Sequence, residues 1–291
     1  MLRKTSVGLA MVAVSQVAMA QPKPVLHAVG LENQYANVLA QIGSPYVAVT
    51  AIQSNPNTDP HEFEATPRVV ESFRHADLVV ENGLGYDSWA TSLLAGTHAK
   101  IISAQAVLHL PDNTPNPHLW YRTDTMPAVA AAAAAFFEAK DPAHKAEYAA
   151  NLKAFDASLR PWKLEIARVK AKFSGAPVAV TEPVADYLLQ EAGLDIKTPF
   201  SFQASIMNDT DPAPQDVALE QGLLRNKKVW VFAYNEQVTD AQTKALLAIA
   251  KQHDVPVLPV YELMPQTAKT YQGWMLDATK SLYNALSRSR K

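Results

Sequence analysis

The stretch AHKAEYAANLKAFDASLRPWKLEIARVKAKF, residues 143–173, decides the architecture of the chain. Its large apolar residues recur at alternating spacings of four and three, which is the stripe of one long amphipathic helix. They are Tyr148, Leu152, Phe155, Leu159, Trp162, Ile166, Val169 and Phe173. At about 1.5 Å per residue this helix would reach roughly 45 Å. Pro161 lies inside it and predicts a kink.

Strand and helix patterns alternate on both sides of this helix, which predicts two α/β lobes with mostly parallel sheets. The stripe also suits a coiled-coil dimer, but a single isolated stripe between two lobes favours a helix that bridges them within a monomer. The predicted division is a signal peptide (1–20), an N-terminal lobe (21–142), the linking helix (143–174) and a C-terminal lobe (175–291). The candidate strands of the two lobes are 25–29, 46–52, 77–82 and 100–104, then 176–182, 229–234 and 255–262.

The first twenty residues have the pattern of a secretory signal. Arg3 and Lys4 precede a short apolar run, and Ala18-Met19-Ala20 forms a small-x-small cleavage site. The apolar run is too short for a membrane anchor, so we expect cleavage after Ala20 and no stable membrane insertion. The sequence has no cysteine, which excludes thiolate metal sites and an N-terminal lipid anchor, and a periplasmic location follows as the expectation.

The composition limits the possible partners. The 291 residues carry a net charge of −2, with 48% hydrophobic and 19% charged residues. This composition is ordinary for a globular protein. The small net charge gives no electrostatic reason to expect binding to nucleic acid or to an anionic membrane.

Four polar residues are predicted at or after the carboxyl ends of strands, where open parallel sheets bind ligands: His61, His118, Glu182 and Glu262. Two come from each lobe. Two imidazoles and two carboxylates facing one cleft would bind a divalent metal ion. Each also has a simpler interpretation: the histidines as solvated loop residues, Glu182 as an acid at a helix N-terminus, and Glu262 as a surface charge.

The loop around His61, SNPNTDPHEFEATP (54–67), is stiffened by three prolines, and Thr66 and Pro67 predict the N-cap and first residue of the next helix. Enzyme motifs are absent. HEFEA has Ala65 where a zinc protease helix needs its second histidine, and the chain has no G-x-S-x-G, phosphate-loop or dinucleotide-binding pattern. ENGLGYDSW is interpreted as a strand-to-helix turn.

With these motifs the chain resembles the metal-binding substrate-binding proteins of ABC transporters that take up zinc and manganese. DPHEFEATP (59–67), NPHLW (116–120), Thr181-Glu182 followed by Tyr187, Glu262 in PVYELMP, and TYQGWM (270–275) carry the resemblance. It implies two α/β lobes bridged by a long helix, His61, His118, Glu182 and Glu262 as metal ligands, and delivery of the ion to a membrane permease. A secreted metal-dependent hydrolase and a metal-binding adhesin remain as alternatives.

The expected ion is Zn²⁺ or Mn²⁺, with Fe²⁺ also open. Glu182 stands where the zinc-uptake branch usually has a histidine, and the N-lobe lacks a histidine-rich run. A carboxylate in place of an imidazole hardens the site toward Mn²⁺ or Fe²⁺, whereas the Irving–Williams order still favours Zn²⁺.

Overall fold

The computed structural model describes residues 23–55 and 63–289. The predicted signal peptide and the predicted ligand His61 lie outside the described residues. Among the helices of the described part, none combines the length and apolar character needed to cross a lipid bilayer.

The first lobe is a four-stranded parallel sheet in the order β2-β1-β3-β4. Its strands are β1 (Leu26–Glu32), β2 (Val47–Gln53), β3 (Leu78–Glu81) and β4 (Lys100–Ser103). Its helices are α1 (Asn33–Gly43), α2 (Pro67–Arg74), α3 (Thr91–Gly96), α4 (Ala104–Val107) and α5 (Thr125–Lys140). The predicted start of α2 is confirmed, because the Thr66 side chain accepts a hydrogen bond from the backbone of Val69 and Pro67 opens the helix.

The bridging helix forms as predicted, in two segments that bend at Leu159. They are α6 (Lys145–Ser158) and α7 (Arg160–Phe173). Pro161 lies in the first turn of α7, where the missing N–H leaves no helical hydrogen bond unmade. The bend therefore lies two residues before the proline, close to the kink that the sequence predicts.

The second lobe repeats the topology of the first, with a parallel sheet in the order β6-β5-β7-β8. Its strands are β5 (Pro177–Val180), β6 (Asp195–Ile196), β7 (Val231–Asn235) and β8 (Val257–Val260). Its helices are α8 (Asp186–Glu191), α9 (Phe200–Met207), α10 (Pro214–Arg225), α11 (Ala241–Gln252) and α12 (Tyr271–Arg288). The two-residue strand β6 was not predicted, because two residues are too few to show an alternating pattern of apolar and polar side chains.

The apolar stripe of α6 and α7 joins the two lobes into one core. Of its eight residues all but Leu152 are buried, and they pack in the same hydrophobic cluster as side chains of both sheets. The α/β architecture with a single bridging helix is therefore confirmed.

The equivalent strands of the two lobes end in the same pair of residues. Gly30 of β1 pairs with Val80 of β3, and Glu32 and Asn82 come two residues later. Val180 of β5 pairs with Ala233 of β7, and Glu182 and Asn235 again come two residues later. Each lobe thus places one glutamate and one asparagine at the point where its strand order reverses, the usual place for a ligand in such sheets.

Candidate metal site between the lobes

His118 lies fully buried in the loop between α4 and α5, and Asn116 orients its ring. The Asn116 side-chain nitrogen donates to the carbonyl of Pro183 at 2.7 Å, so its Oδ1 faces the histidine. That oxygen accepts the backbone N–H of His118 at 3.0 Å and lies 2.8 Å from Nδ1. Because Oδ1 can only accept, Nδ1 carries the hydrogen, and the neutral ring has its lone pair on Nε2.

Aromatic side chains from the second lobe fix the same loop. The Tyr187 hydroxyl donates to the carbonyl of Asn116 at 2.8 Å, and the Tyr271 hydroxyl donates to the carbonyl of Trp120 at 2.6 Å. The ring of Trp120 contacts His118 edge-on, with 5.3 Å between ring centres. Residues from separate sequence motifs therefore converge on the histidine loop.

Glu262 follows β8 and brings a fully buried carboxylate to His118. Its Oε2 lies 3.8 Å from Nε2 of the histidine, beyond hydrogen-bonding distance, and accepts the Tyr86 hydroxyl at 2.7 Å. The backbone of Glu262 is held on both sides: its N–H donates to Gln237 at 2.6 Å, and its carbonyl accepts from Gln34 at 3.0 Å.

Asn235 joins the two carboxylates of the second lobe. Its side-chain nitrogen donates to Oε1 of Glu182 at 3.1 Å and to Oε1 of Glu262 at 2.8 Å. Two further hydrogen bonds hold Asn235 in place. Its backbone N–H donates to the Thr181 hydroxyl, and its side-chain Oδ1 accepts the backbone N–H of Gln237. Glu182 is 2% exposed and Asn235 is fully buried.

Three of the four predicted ligands thus lie together: His118 faces Glu262 directly, and Glu182 is connected to Glu262 through Asn235. His61 lies outside the described residues. Within residues 23–55 and 63–289, no group of three or more His, Asp or Glu side chains is arranged to hold a metal ion by itself. The donor set is nevertheless of the kind that binds divalent transition metals, namely one imidazole nitrogen and two buried carboxylates.

Tyr86 reaches Glu262 from a turn that only glycine makes easily. Gly83 and Gly85 have φ values of 83° and 79°, and Leu84 between them has 56°. A Cβ at Gly83 would lie 2.8 Å from atoms of Ser103 and Gln105, so the turn has no room for a side chain. Burial, and next the charge of Glu262, raise the pKa of the Tyr86 phenol well above its usual value, so the phenol stays protonated and donates.

A second buried carboxyl pair, Glu32 and Asp87, lies behind this turn. Burial is the largest cause and the charge of Asp87 the next in raising the pKa of Glu32 well above its usual value, and burial also raises the pKa of Asp87. Burial therefore works against ionisation of both carboxyls, whereas a metal-binding carboxylate must be ionised.

Sequence reasoning missed two residues of the site. Asn235 ends β7, and the strand-end rule would have found it had amides been considered together with carboxylates. Tyr86 carried no such signal, because its role depends on a turn whose direction the sequence does not reveal.

A family model described as zinc-uptake complex component A periplasmic (ZnuA) matches residues 32–285. The match covers most of the chain, which belongs to this family of substrate-binding proteins of metal ABC transporters.

Curated relatives agree with this assignment. The chain is 25% identical over 219 residues to the metal ABC transporter substrate-binding lipoprotein ScbA of Streptococcus cristatus, covering 68% of this chain and 67% of that protein. It is 24% identical to the manganese ABC transporter substrate-binding lipoprotein PsaA of Streptococcus anginosus, covering 68% of each.

Solved structures share the fold. The periplasmic zinc binding protein TroA from Treponema pallidum aligns with a TM-score of 0.76 at 15% identity, over 91% of this chain and 99% of that one. FpvC from P. aeruginosa, solved with Ni²⁺, aligns with a TM-score of 0.71 at 20% identity, over 91% of this chain and 97% of that one.

Proposed function

We propose that this protein captures a divalent transition metal ion, Zn²⁺ or Mn²⁺, in the periplasm and delivers it to the membrane permease of an ABC transporter. The observation that carries the proposal is the meeting of His118 from the first lobe with Glu262 from the second, both fully buried. An imidazole nitrogen and a carboxylate oxygen that face each other beyond hydrogen-bonding distance are both suited to bind one divalent cation between them.

The proposed ligands are His118, Glu182 and Glu262, with His61 added from its sequence motif alone. The ion is the cargo and undergoes no chemistry. Burial supports capture over hydrolysis, because a hydrolytic metal must keep an open position for water and substrate. His118, Glu182 and Glu262 are each 2% exposed or less.

Hydrogen bonds across the cleft suggest how release would work. Tyr86 of the first lobe binds Glu262 of the second, and Asn116 of the first binds the carbonyl of Pro183 in the second. Because α6 and α7 bridge the lobes rigidly, we expect the permease to open the site by small displacements that break such contacts, without a wide hinge motion.

The proposal is tested on protein stripped of metal by a chelator and titrated with Zn²⁺ and Mn²⁺ in separate experiments. We expect one ion per chain and a rise in melting temperature that grows with ion concentration, because binding to the folded state alone stabilises it. The His118→Ala variant should lose most of this rise. His253→Ala, a change outside the site, is the control and should keep it. Failure of both ions to bind the wild type would refute the proposal.

A further inference from the structure

We propose that Asn235 sets the metal preference of the site by restraining both carboxylates to one-oxygen coordination. This inference rests on the proposed function, since it concerns the same ion. It assigns a positioning role to a residue that would not itself contact the metal.

The geometry around the Asn235 amide carries the argument. Its single side-chain nitrogen donates to one oxygen of each carboxylate, Oε1 of Glu182 and Oε1 of Glu262. In Glu262 the other oxygen, Oε2, faces the imidazole of His118 and also accepts the Tyr86 hydroxyl. The carboxylate is therefore oriented with one oxygen toward the amide and one toward the imidazole.

Further hydrogen bonds hold the Asn235 amide in this position. Its Oδ1 accepts the backbone N–H of Gln237, and the side-chain oxygen of Gln237 in turn accepts the backbone N–H groups of Glu262 and Leu263. Asn235 and the backbone of Glu262 thus belong to one closed hydrogen-bond network. Rotating the carboxylate so that both oxygens face an ion would break the bond from Asn235 in a fully buried place.

The number of carboxylate oxygens that reach the ion affects which ion fits. Zn²⁺ is satisfied by four ligands in a tetrahedron, whereas Mn²⁺ suits sites richer in oxygen. A carboxylate that binds with one oxygen supplies one ligand fewer than a carboxylate that binds with two. By holding both Oε1 atoms, Asn235 therefore keeps the coordination number low and favours Zn²⁺ over Mn²⁺.

The chain contains a matched control for this residue. Asn82 occupies the equivalent register position in the first lobe and is also fully buried. Its amide donates to the carbonyls of Gly83 and Pro117, and the Tyr35 hydroxyl donates to its Oδ1. None of these partners is a carboxylate, so losing this amide removes hydrogen bonds of a buried asparagine without releasing Glu182 or Glu262.

The test compares dissociation constants for Zn²⁺ and Mn²⁺ in the wild type, Asn235→Ala and Asn82→Ala, each stripped of metal and measured by competition with a chromophoric chelator. We expect the preference for Zn²⁺ over Mn²⁺ to fall by roughly tenfold in Asn235→Ala, as is usual when a residue that orients a metal ligand is lost. Asn82→Ala should weaken the binding of both ions alike and leave the ratio of their dissociation constants unchanged. An unchanged ratio in Asn235→Ala, or an equal change in Asn82→Ala, overturns the inference.

A second measurement does not depend on the folding of any variant. X-ray absorption of the Zn²⁺-loaded wild type should show carboxylates that bind through one oxygen each, whereas two-oxygen carboxylates would overturn the inference. If the wild type binds neither ion, the proposed function itself fails. If it binds them and Asn235→Ala leaves the ratio unchanged, only the role of Asn235 fails.

Discussion

Nε2 of His118 lies 3.8 Å from Oε2 of Glu262, and the two residues come from different lobes of the chain. Neither side chain is exposed to solvent. This contact joins the carboxyl edges of the two sheets at one buried point.

The charge of Glu182 is expected to matter for metal affinity. Glu182→Gln keeps the shape of the side chain but removes the negative charge, and it should weaken binding by at least about tenfold. Isothermal titration of stripped protein measures this. Glu236→Gln, a change of an exposed neighbour of Asn235, is the control and should bind like the wild type. Equal affinities of Glu182→Gln and the wild type would remove Glu182 from the site.

Asn116 is expected to act through His118, because its Oδ1 fixes the hydrogen on Nδ1 and leaves Nε2 for the ion. Asn116→Ala should lower metal affinity by about 10- to 100-fold, the usual effect of losing a partner that orients a ligand histidine. Asn208→Ala, at an exposed asparagine that bonds only its own helix, is the matched control for the same titration. Wild-type affinity in Asn116→Ala would contradict this role.

Glu220 is expected to make the metal-free protein less stable as the pH rises. Burial raises the pKa of this carboxyl to about 8, so the folded state holds a proton that the unfolded state has already lost above its ordinary pKa. This stabilisation is fully present below the pKa that the Glu220 carboxyl has in the unfolded chain. It is lost as the pH rises toward 8, where the free energy of unfolding falls by at most about 1.4 kcal/mol per pH unit.

The check for Glu220 is the unfolding free energy of Glu220→Gln and the wild type from pH 5 to pH 8, measured with a chelator present. The variant should gain stability relative to the wild type at the higher pH. Glu191→Gln, at an exposed position of the same lobe, should show no such trend. Parallel curves for Glu220→Gln and the wild type would show that this carboxyl does not titrate as argued.

Trp162 is expected to be a main source of stability, since it is fully buried in α7 and its indole nitrogen donates to Thr279 of α12 at 3.0 Å. Trp162→Ala should lower the free energy of unfolding by about 3–5 kcal/mol. Denaturant titration measures the loss. Leu164→Ala lies on the same helix at a residue that is 59% exposed, and it should change little. Similar losses for both variants would contradict the assignment of the buried face.

The bridging helix could be predicted from the sequence because its stripe runs unbroken for eight apolar residues, and helices of both lobes pack against it, α1 and α5 on α6 and α8 and α12 on α7. Strand ends could also be predicted, because short apolar runs mark the strands. The polar residues at or after those ends include His118, Glu182 and Glu262. Asn235 and Tyr86 could not be found this way. Their importance depends on which side-chain atoms meet across the cleft, and that is decided by the packing of two lobes that are distant in sequence.

We propose that His118, Glu182 and Glu262 surround one metal ion. Anomalous diffraction from crystals grown with Zn²⁺, recorded on both sides of the zinc absorption edge, tests it most directly. We expect a single strong peak within about 2.0–2.2 Å of His118 Nε2 and of an oxygen from each glutamate. A zinc peak elsewhere, with these three side chains unchanged and without an ion, would contradict it.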